Sequence, residues 1–442
     1  LQFAVFTLQY APNQPRPIDP TRKVSWRLLP LLFIAYVIAY IDRINVGFTK
    51  AQLRDVMGAD PAYFETLFGI GGGMFFIGYF IFEIPSNLVL QRVGARLWIA
   101  RIMVVWGLVS MAMVFIQGTV SFCVMRFLLG AAEAGFFPGV LLYLTYWYPA
   151  RERARTIALF AMGGVTAGII GSPISGAIVD IHEYAGLAGW QWLFVLEGAP
   201  AVLLGIVVLF VLPNDPSGAR WLTAQEKDWL EQRLDAEAAE LGAQQKHGLA
   251  EVFRSGRVWL LCATYFLLNV GTYSYELWAP SIIRSFSGVS QTLVGFINAL
   301  PYLFAAVVMF FVGRHSDRTG ERRWHVALAA FSSMLGFLLS AWLHNPWLAL
   351  AALAVAFAGI KSSIGPFWAM ATTFLSGTAA AGGIALINSV GNLGGFAGPS
   401  IVGLIKDRTH SDVAALLFLA AALAGMGLLA LTVRPISARR PQ

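Results

Sequence analysis

Apolar runs of membrane-spanning length recur about twelve times along the chain. They are Trp26–Phe48, Phe64–Leu90, Leu97–Gln117, Ser121–Trp147, Thr156–Val179, Trp190–Leu212, Val258–Ile283, Leu293–Gly313, His325–Leu343, Trp347–Leu375, Gly382–Ile405 and Val413–Thr432. About 20 residues of helix cross the hydrocarbon core of a bilayer. Backbone in hydrocarbon has to satisfy its own hydrogen bonds, which leaves helices or closed barrels. Barrel strands would read as short alternating segments, and the sequence has none. The expected fold is an all-α membrane protein with twelve transmembrane helices. Charged residues make up 12% of the chain, about half the share in soluble proteins.

Lysine and arginine placement sets an expected orientation. With both termini in the cytoplasm, 23 of the 31 basic residues fall in inside segments and 5 in outside segments. The remaining three, Arg43, Arg126 and Lys361, lie within spans. The long polar link 214–257 divides the chain into six-span halves, 26–213 and 258–433, flanked by tails 1–25 and 434–442. Thr223-Ala-Gln-Glu226 in the link fits a helix capping box, with Leu230, Leu234 and Leu241 following at helical spacing. A short amphipathic helix strapping the halves is expected there.

The halves read as a duplication. Gln91-Arg92-Val93-Gly94-Ala95-Arg96 recurs 226 residues later as Asp317-Arg318-Thr319-Gly320-Glu321-Arg322, and Pro173 in the fifth span recurs as Pro399 in the eleventh. Two halves related in this way place a binding site at the midplane between them.

Several classes are set aside. The net charge of +7 is dispersed over short links, so nucleic acid is not an expected partner. Cys123 and Cys262 sit inside apolar runs as small packing residues, and no metal or cofactor spacing is present. Phosphate-binding, zinc and nucleophile-elbow motifs are lacking, so an enzyme is not expected. Leu1–Tyr10 is apolar but too short to span and lacks a signal peptide's charged flank. A monomer is expected.

Charge inside the spans then carries the argument, because each such group costs at least ~2.5–3.5 kcal/mol and marks a functional site by default. Asp42 and Arg43 are neighbours in the first span and face different directions, since a helix turns 100° per residue. Tyr36, Tyr40, Arg43 and Gly47 share one face, and Asp42, Asn45 and Thr49 another. The Arg43 face is expected to line a cavity and the Asp42 face to meet a neighbouring helix. A guanidinium binds a carboxylate bidentately and keeps its charge, which suits an anion anchor. In the fourth span Arg126 and Glu133 share a face. Loss of water favours a protonated carboxyl and a nearby cation an ionised one, so Glu133 is placed to change protonation. Arg126 is read either as part of this site or as a brace near the outer end.

Lys361, Gly365, Trp368 and Thr372 share a face of the tenth span; Asn269, Tyr273, Glu276 and Pro280 share one of the seventh. Two readings of Lys361 stand: it pairs with Glu276, or it meets a second carboxylate of an anion whose other end is on Arg43. Tyr79, Trp278 and Trp368 are candidate substrate contacts. Asn388 either donates to substrate hydroxyls or joins helices.

Gly313-x-x-x-Asp317-Arg318-x-Gly320-x-Arg322-Arg323 resembles the signature loop of the major facilitator superfamily. Tyr40-x-Asp42-Arg43-x-Asn45, Arg126-Phe-Leu-Leu-Gly130-Ala-Ala-Glu133-Ala-Gly135 and Gly365-Pro-Phe-Trp368 resemble more narrowly its anion:cation symporter family, whose bacterial members carry sugar acids, tartrate, phthalate and 4-hydroxyphenylacetate. The resemblance covers about Arg22 to Arg434. It implies that Arg43 binds a carboxylate, that Asp42 and Glu133 carry coupled protons, and that Arg92, Asp317 and Arg318 belong to gating loops. Gln91 stands where the superfamily usually has an acid, and Asn87 where it has glycine. The expected function is proton-coupled import of a small organic anion across a bacterial-type inner membrane by alternating access; exchange or export is the alternative.

Overall fold

The computed structural model describes residues 19–243, 253–373 and 378–433. Leu1–Tyr10, Lys246 and the basic tail Arg434, Arg439 and Arg440 lie outside them. The first six spans are Thr21–Met57, Phe64–Val93, Ala95–Phe115, Thr119–Thr145, Arg155–Val179 and Gly189–Val211. A linker helix, Ala224–Ala243, follows. The last six are Gly256–Ser287, Gln291–Thr319, Arg323–Trp342, Pro346–Thr373, the consecutive pieces Thr378–Asn392 and Gly394–Thr409, and Asp412–Thr432. Ten of the twelve are, by length and composition among the described residues, apolar enough to cross a membrane. Gly256–Ser287 and the pieces Thr378–Asn392 and Gly394–Thr409 occupy the places expected for the seventh and eleventh spans.

Most helices outrun their apolar runs, because a helix continues into water wherever its end groups find partners. The first begins at Thr21, not Trp26: Asp19 accepts from the Thr21 amide at 3.0 Å and from its hydroxyl at 2.7 Å. The linker helix starts on the expected box. The Thr223 amide donates to Glu226 at 2.8 Å and the Glu226 amide to the Thr223 hydroxyl at 3.3 Å. Glu226 also meets Lys23 at 2.8 Å, and Arg153 meets Glu237 at 2.8 Å, so this helix docks on the ends of the first and fifth spans. The hydrogen bond from Lys23, followed by the Thr223 amide, holds the Glu226 carboxyl below its ordinary range. Leu230 is buried and Leu234 half-buried, and the Leu241 side chain lies outside what is described.

Packing repeats across the two halves. Spans three and six, two and four, and one and five pair in the first half; nine and twelve, eight and ten, and seven and eleven pair in the second. Between the halves, span two lies on eleven and span five on eight. Gly69 and Gly295 are 226 residues apart, and a Cβ on either would collide with the other half's backbone, at Pro399 and at Ser172 respectively. The duplicated proline region is thus where each half presses on the other.

The end of the bundle away from the linker is closed. Asp407 accepts from the Thr66 amide at 2.7 Å and the Glu65 amide at 3.2 Å. Asp180 accepts from the Thr292 amide at 2.7 Å and the Gln291 amide at 3.1 Å. Each carboxylate thereby caps a helix N-terminus of the opposite half, where free amides and the helix dipole favour an anion. Partial burial works to raise the Asp180 carboxyl, but the Thr292 and Gln291 donors outweigh it and hold it below the usual range. Toward the linker, one turn beyond Lys361, there is open space at Gly365, with nothing within 4 Å of where a Cβ would sit.

Candidate functional site

The first span packs within the first half and presents one face to that half's interior and the other to the second half. Arg43 is 11% exposed at its side chain and forms an ion pair with Glu133 through Nη2 and Oε1. Its Nη1 donates to the Tyr273 hydroxyl at 3.3 Å, from the opposite half. The guanidinium stands over the rings of Phe75 at 5.1 Å, Tyr79 at 5.5 Å and Tyr40 at 5.7 Å. Glu133 is positioned by a break in the fourth span. Ala134 is extended and Gly135 takes φ of 87°, where a side chain would meet Ser86, so Glu133 ends its helical piece. Its Oε2 has no partner among the described residues.

Arg126 is buried within the bundle. It is 1% exposed, and its guanidinium is 5.1 Å from the Phe75 ring centre, as is that of Arg43. Nη2 reaches the Gly72 carbonyl at 3.4 Å, while Nε and Nη1 are unpartnered. Arg43 and Arg126 line one small cavity with Phe76, Tyr273, Glu276 and Pro399.

Lys361 and Glu276 pair at 2.7 Å, with both side chains buried. Tyr40, from the first half, closes the triangle: Lys361 donates to its hydroxyl at 2.9 Å and that hydroxyl donates to Glu276 at 2.8 Å. Two ion pairs therefore face each other across the interface, with Tyr40 touching both. A buried pair of this kind offsets desolvation only when its hydrogen bonds are complete. Glu276 Oε2 is unpartnered.

Other residues singled out from the sequence fall elsewhere. Tyr79 is buried beside Arg43. Trp278 is not in this site. It lies two residues past Glu276, about 200° around the helix, and its ring faces Lys50 at 4.6 Å and Lys406 at 4.8 Å near the closed end. Trp368 packs on Tyr265 at 5.0 Å, two turns toward the linker from Lys361. Asn388 donates to Glu83 Oε1 at 2.6 Å, and Ser389 to Oε2 at 2.9 Å, joining spans two and eleven. Asp317 pairs at 2.7 Å with Arg322 of its own loop, and Arg92 and Arg318 are exposed at the linker end. Asp42 faces away from Arg43, into the first half, where Ser110 donates to it.

Two functional candidates escaped the sequence reading. Glu83 and Glu197 are both buried, and both interrupt apolar runs. The signal that marked Glu133, an acid among apolar residues, was present for each.

The chain matches the Major Facilitator Superfamily over residues 32–399. It is 50% identical over 405 residues to an Agrobacterium vitis protein named "Putative tartrate transporter", covering 91% of this chain and 88% of that one. An Acinetobacter baumannii protein named "Quinolone resistance transporter" is 43% identical, with 91% and 92% covered. The Escherichia coli inner membrane transport protein RhmT is 38% identical, with 93% and 95% covered. Among solved structures, a D-xylose-proton symporter has the same fold, with a TM-score of 0.76 at 13% identity over 93% of this chain and 98% of that one. With a family match across most of its length and relatives this close, the chain belongs to the major facilitator superfamily, a transporter that needs no cofactor and not an enzyme.

Proposed function

We propose that this chain is a proton-coupled symporter that imports a small organic anion by alternating access. The observation that carries the reading is the Arg43–Glu133 ion pair on the face that the first half turns to the second. Arg43 keeps its charge and needs an anion at every stage; Glu133 supplies one until a proton neutralises it or a carboxylate replaces it. In a low-dielectric site such an exchange has a large electrostatic effect. With the site open outward, Glu133 takes a proton and the cargo carboxylate binds Arg43. The halves rock about the contacts of spans two with eleven and five with eight. After release inward, Glu133 loses its proton and pairs with Arg43 again. A closed far end and an empty space beside Gly365 support the inward-open member of this cycle.

The favoured cargo is a two-ended anion that displaces Glu133 from Arg43 and Glu276 from Lys361. The relatives named for tartrate support a diacid. The lysine and arginine asymmetry supports an inner-membrane protein with both termini in the cytoplasm. A monomer suffices, because both charged pairs and the cavity are made by one chain.

The test is uptake of radiolabelled tartrate into proteoliposomes acidified outside. Accumulation abolished by a protonophore and by Arg43→Ala supports the reading; uptake indifferent to the proton gradient overturns it. Export is the second reading, favoured by the name of the Acinetobacter relative. Quinolone efflux from intact cells would replace import with it.

A further inference from the structure

On the reverse face of the first span, inside the first half, a second polar cluster holds two acids. Asp42 takes a hydrogen bond from Ser110 of the third span. The Asn45 amide nitrogen donates to Asp42 Oδ1 at 3.4 Å and to Glu197 Oε2 at 2.8 Å. Ser175 of the fifth span donates to Glu197 Oε1 at 2.7 Å. Asp42 and Asn45 are fully buried and Glu197 is 6% exposed. Four spans thus meet on these side chains.

The hydrogen-bond inventory of the cluster is unbalanced. Asp42 Oδ2 and Asn45 Oδ1, both acceptors, are buried without a partner, while each donor in the cluster is used. An unpartnered buried polar group costs about 1–3 kcal/mol. The missing component is a donor, and a proton on either acid creates one. The serine partners suit such a change, since a hydroxyl donates to a carboxylate and accepts from a carboxylic acid. Neither acid has an ion-pair partner among the described residues. Among the described residues, the charged groups facing Asp42 are Arg126 and Glu133 of the fourth span and Glu197 of the sixth, and the one facing Glu197 is Asp42, with Ser175 and Asn45 its other partners.

We propose that Asp42 and Glu197 form one proton-binding site, bridged by Asn45, in which a single proton is shared between the two carboxyl groups. Loading forms one O–H bond on a carboxylate, the proton arriving from water. The new hydroxyl supplies the donor that the orphan oxygens lack, and unloading reverses the step. The occupied site alters the field at Arg126 and Glu133, which links it to the anion site. The proposal deepens the proton-coupled reading and rests on it for its role in transport, but the proton site itself is testable without substrate, so the two fail separately.

The experiment is infrared spectroscopy of the purified full chain from about pH 5 to about pH 9, following the C=O stretch of protonated carboxyl groups. The wild type is expected to show buried carboxyl bands that titrate in coupled steps. Glu197→Gln is expected to remove one band and to move the Asp42 titration by about one pH unit, tenfold in proton affinity. Identical titrating bands in wild type and Glu197→Gln overturn the proposal. So does a Glu197 band that persists unchanged at every pH, which would make it a fixed staple between helices. If Glu197→Gln does not fold, Ser175→Ala retains the acid and removes one partner. A shifted Glu197 band then supports the site, and an unshifted one overturns it. In proteoliposomes, Glu197→Gln is expected to lower the protons moved per tartrate.

Discussion

The Tyr40 hydroxyl lies 2.8 Å from Glu276 and 2.9 Å from Lys361, so one phenol from the first half completes an ion pair of the second. The same ring stands 5.7 Å from the Arg43 guanidinium. On the proposed function, Tyr40 is the residue through which a cargo on one charged pair is felt at the other. A hydrogen bond to a charged group contributes about 1.5–3 kcal/mol. Tyr40→Phe is expected to weaken apparent diacid affinity by about tenfold or more, since 1.4 kcal/mol is tenfold. Initial uptake rates against concentration measure this; an unchanged half-saturation would place Tyr40 outside the coupling.

Lys361→Met leaves Glu276 buried without its cation, a change that costs about 3–5 kcal/mol. Removing both charges together avoids that cost. The double variant Lys361→Met, Glu276→Gln is expected to melt close to wild type while the single variant melts well below it. In uptake, the double variant is expected to lose dicarboxylates and retain monocarboxylates held by Arg43 alone. Thermal unfolding with paired uptake assays separates these effects. Equal losses for both cargo classes would restrict Lys361 to a structural role.

Glu133→Gln fixes this position in a neutral form. It is expected to keep counterflow exchange of anion across the membrane but to lose accumulation driven by the proton gradient. Arg43→Lys preserves charge but not the planar fork that meets a carboxylate bidentately. Its expected loss of apparent affinity is at least tenfold, about 1.4 kcal/mol. Accumulation retained by Glu133→Gln would move the coupling to the Asp42–Glu197 cluster.

Much of this arrangement was legible in the sequence. The spans, the duplication and the opposed faces at Asp42 and Arg43 follow from hydrophobic runs, a constant offset and helical geometry. Helix ends were not, because Asp19 and Thr21 lengthen the first helix by local hydrogen bonds that hydropathy does not register. Partner choice was not either. Periodicity places Asn388 on a helix, but its contact with Glu83 depends on how two distant spans meet. Trp278, a candidate substrate contact in the sequence, turns to Lys50 and Lys406 instead, because nearness in sequence to Glu276 does not give a shared helix face.

The closed end depends on two carboxylates at helix N-termini. Asp180 has its carboxyl held below the usual range when it caps Thr292. A depressed group contributes stability that is full above its unperturbed value, about 3.9, and is lost as pH falls through the lower value of the closed state. The seal at this end is thus expected to be insensitive to pH across the range in which the transporter works. Asp180→Asn removes the charge and is expected to weaken the closed state by up to about 1 kcal/mol. Spin-label distances between the far ends of spans five and eight would show a larger open fraction, with the pH response moved only below about pH 4. A wild-type seal that opens near neutral pH would rule out Asp180 as its holding group.

Glu83 offers the matching test on the linker side. It receives Asn388 at 2.6 Å and Ser389 at 2.9 Å, and its side chain has no ion-pair partner among the described residues. Neutral donors bind an ionised carboxylate strongly but bind its amide analogue weakly. Glu83→Gln therefore keeps the shape of the bridge while lowering its strength. The halves are then expected to part more readily toward the linker, giving faster inward release and a higher half-saturation for uptake. Asn388→Asp instead sets two acids against each other across the same gap. Like charges at this distance repel, so its defect is expected to be larger and to ease in acid, when one carboxyl takes a proton. Comparing uptake by the two variants from about pH 5 to about pH 8 distinguishes a bridge between halves from a contact to cargo. A cargo contact would give equal losses at every pH.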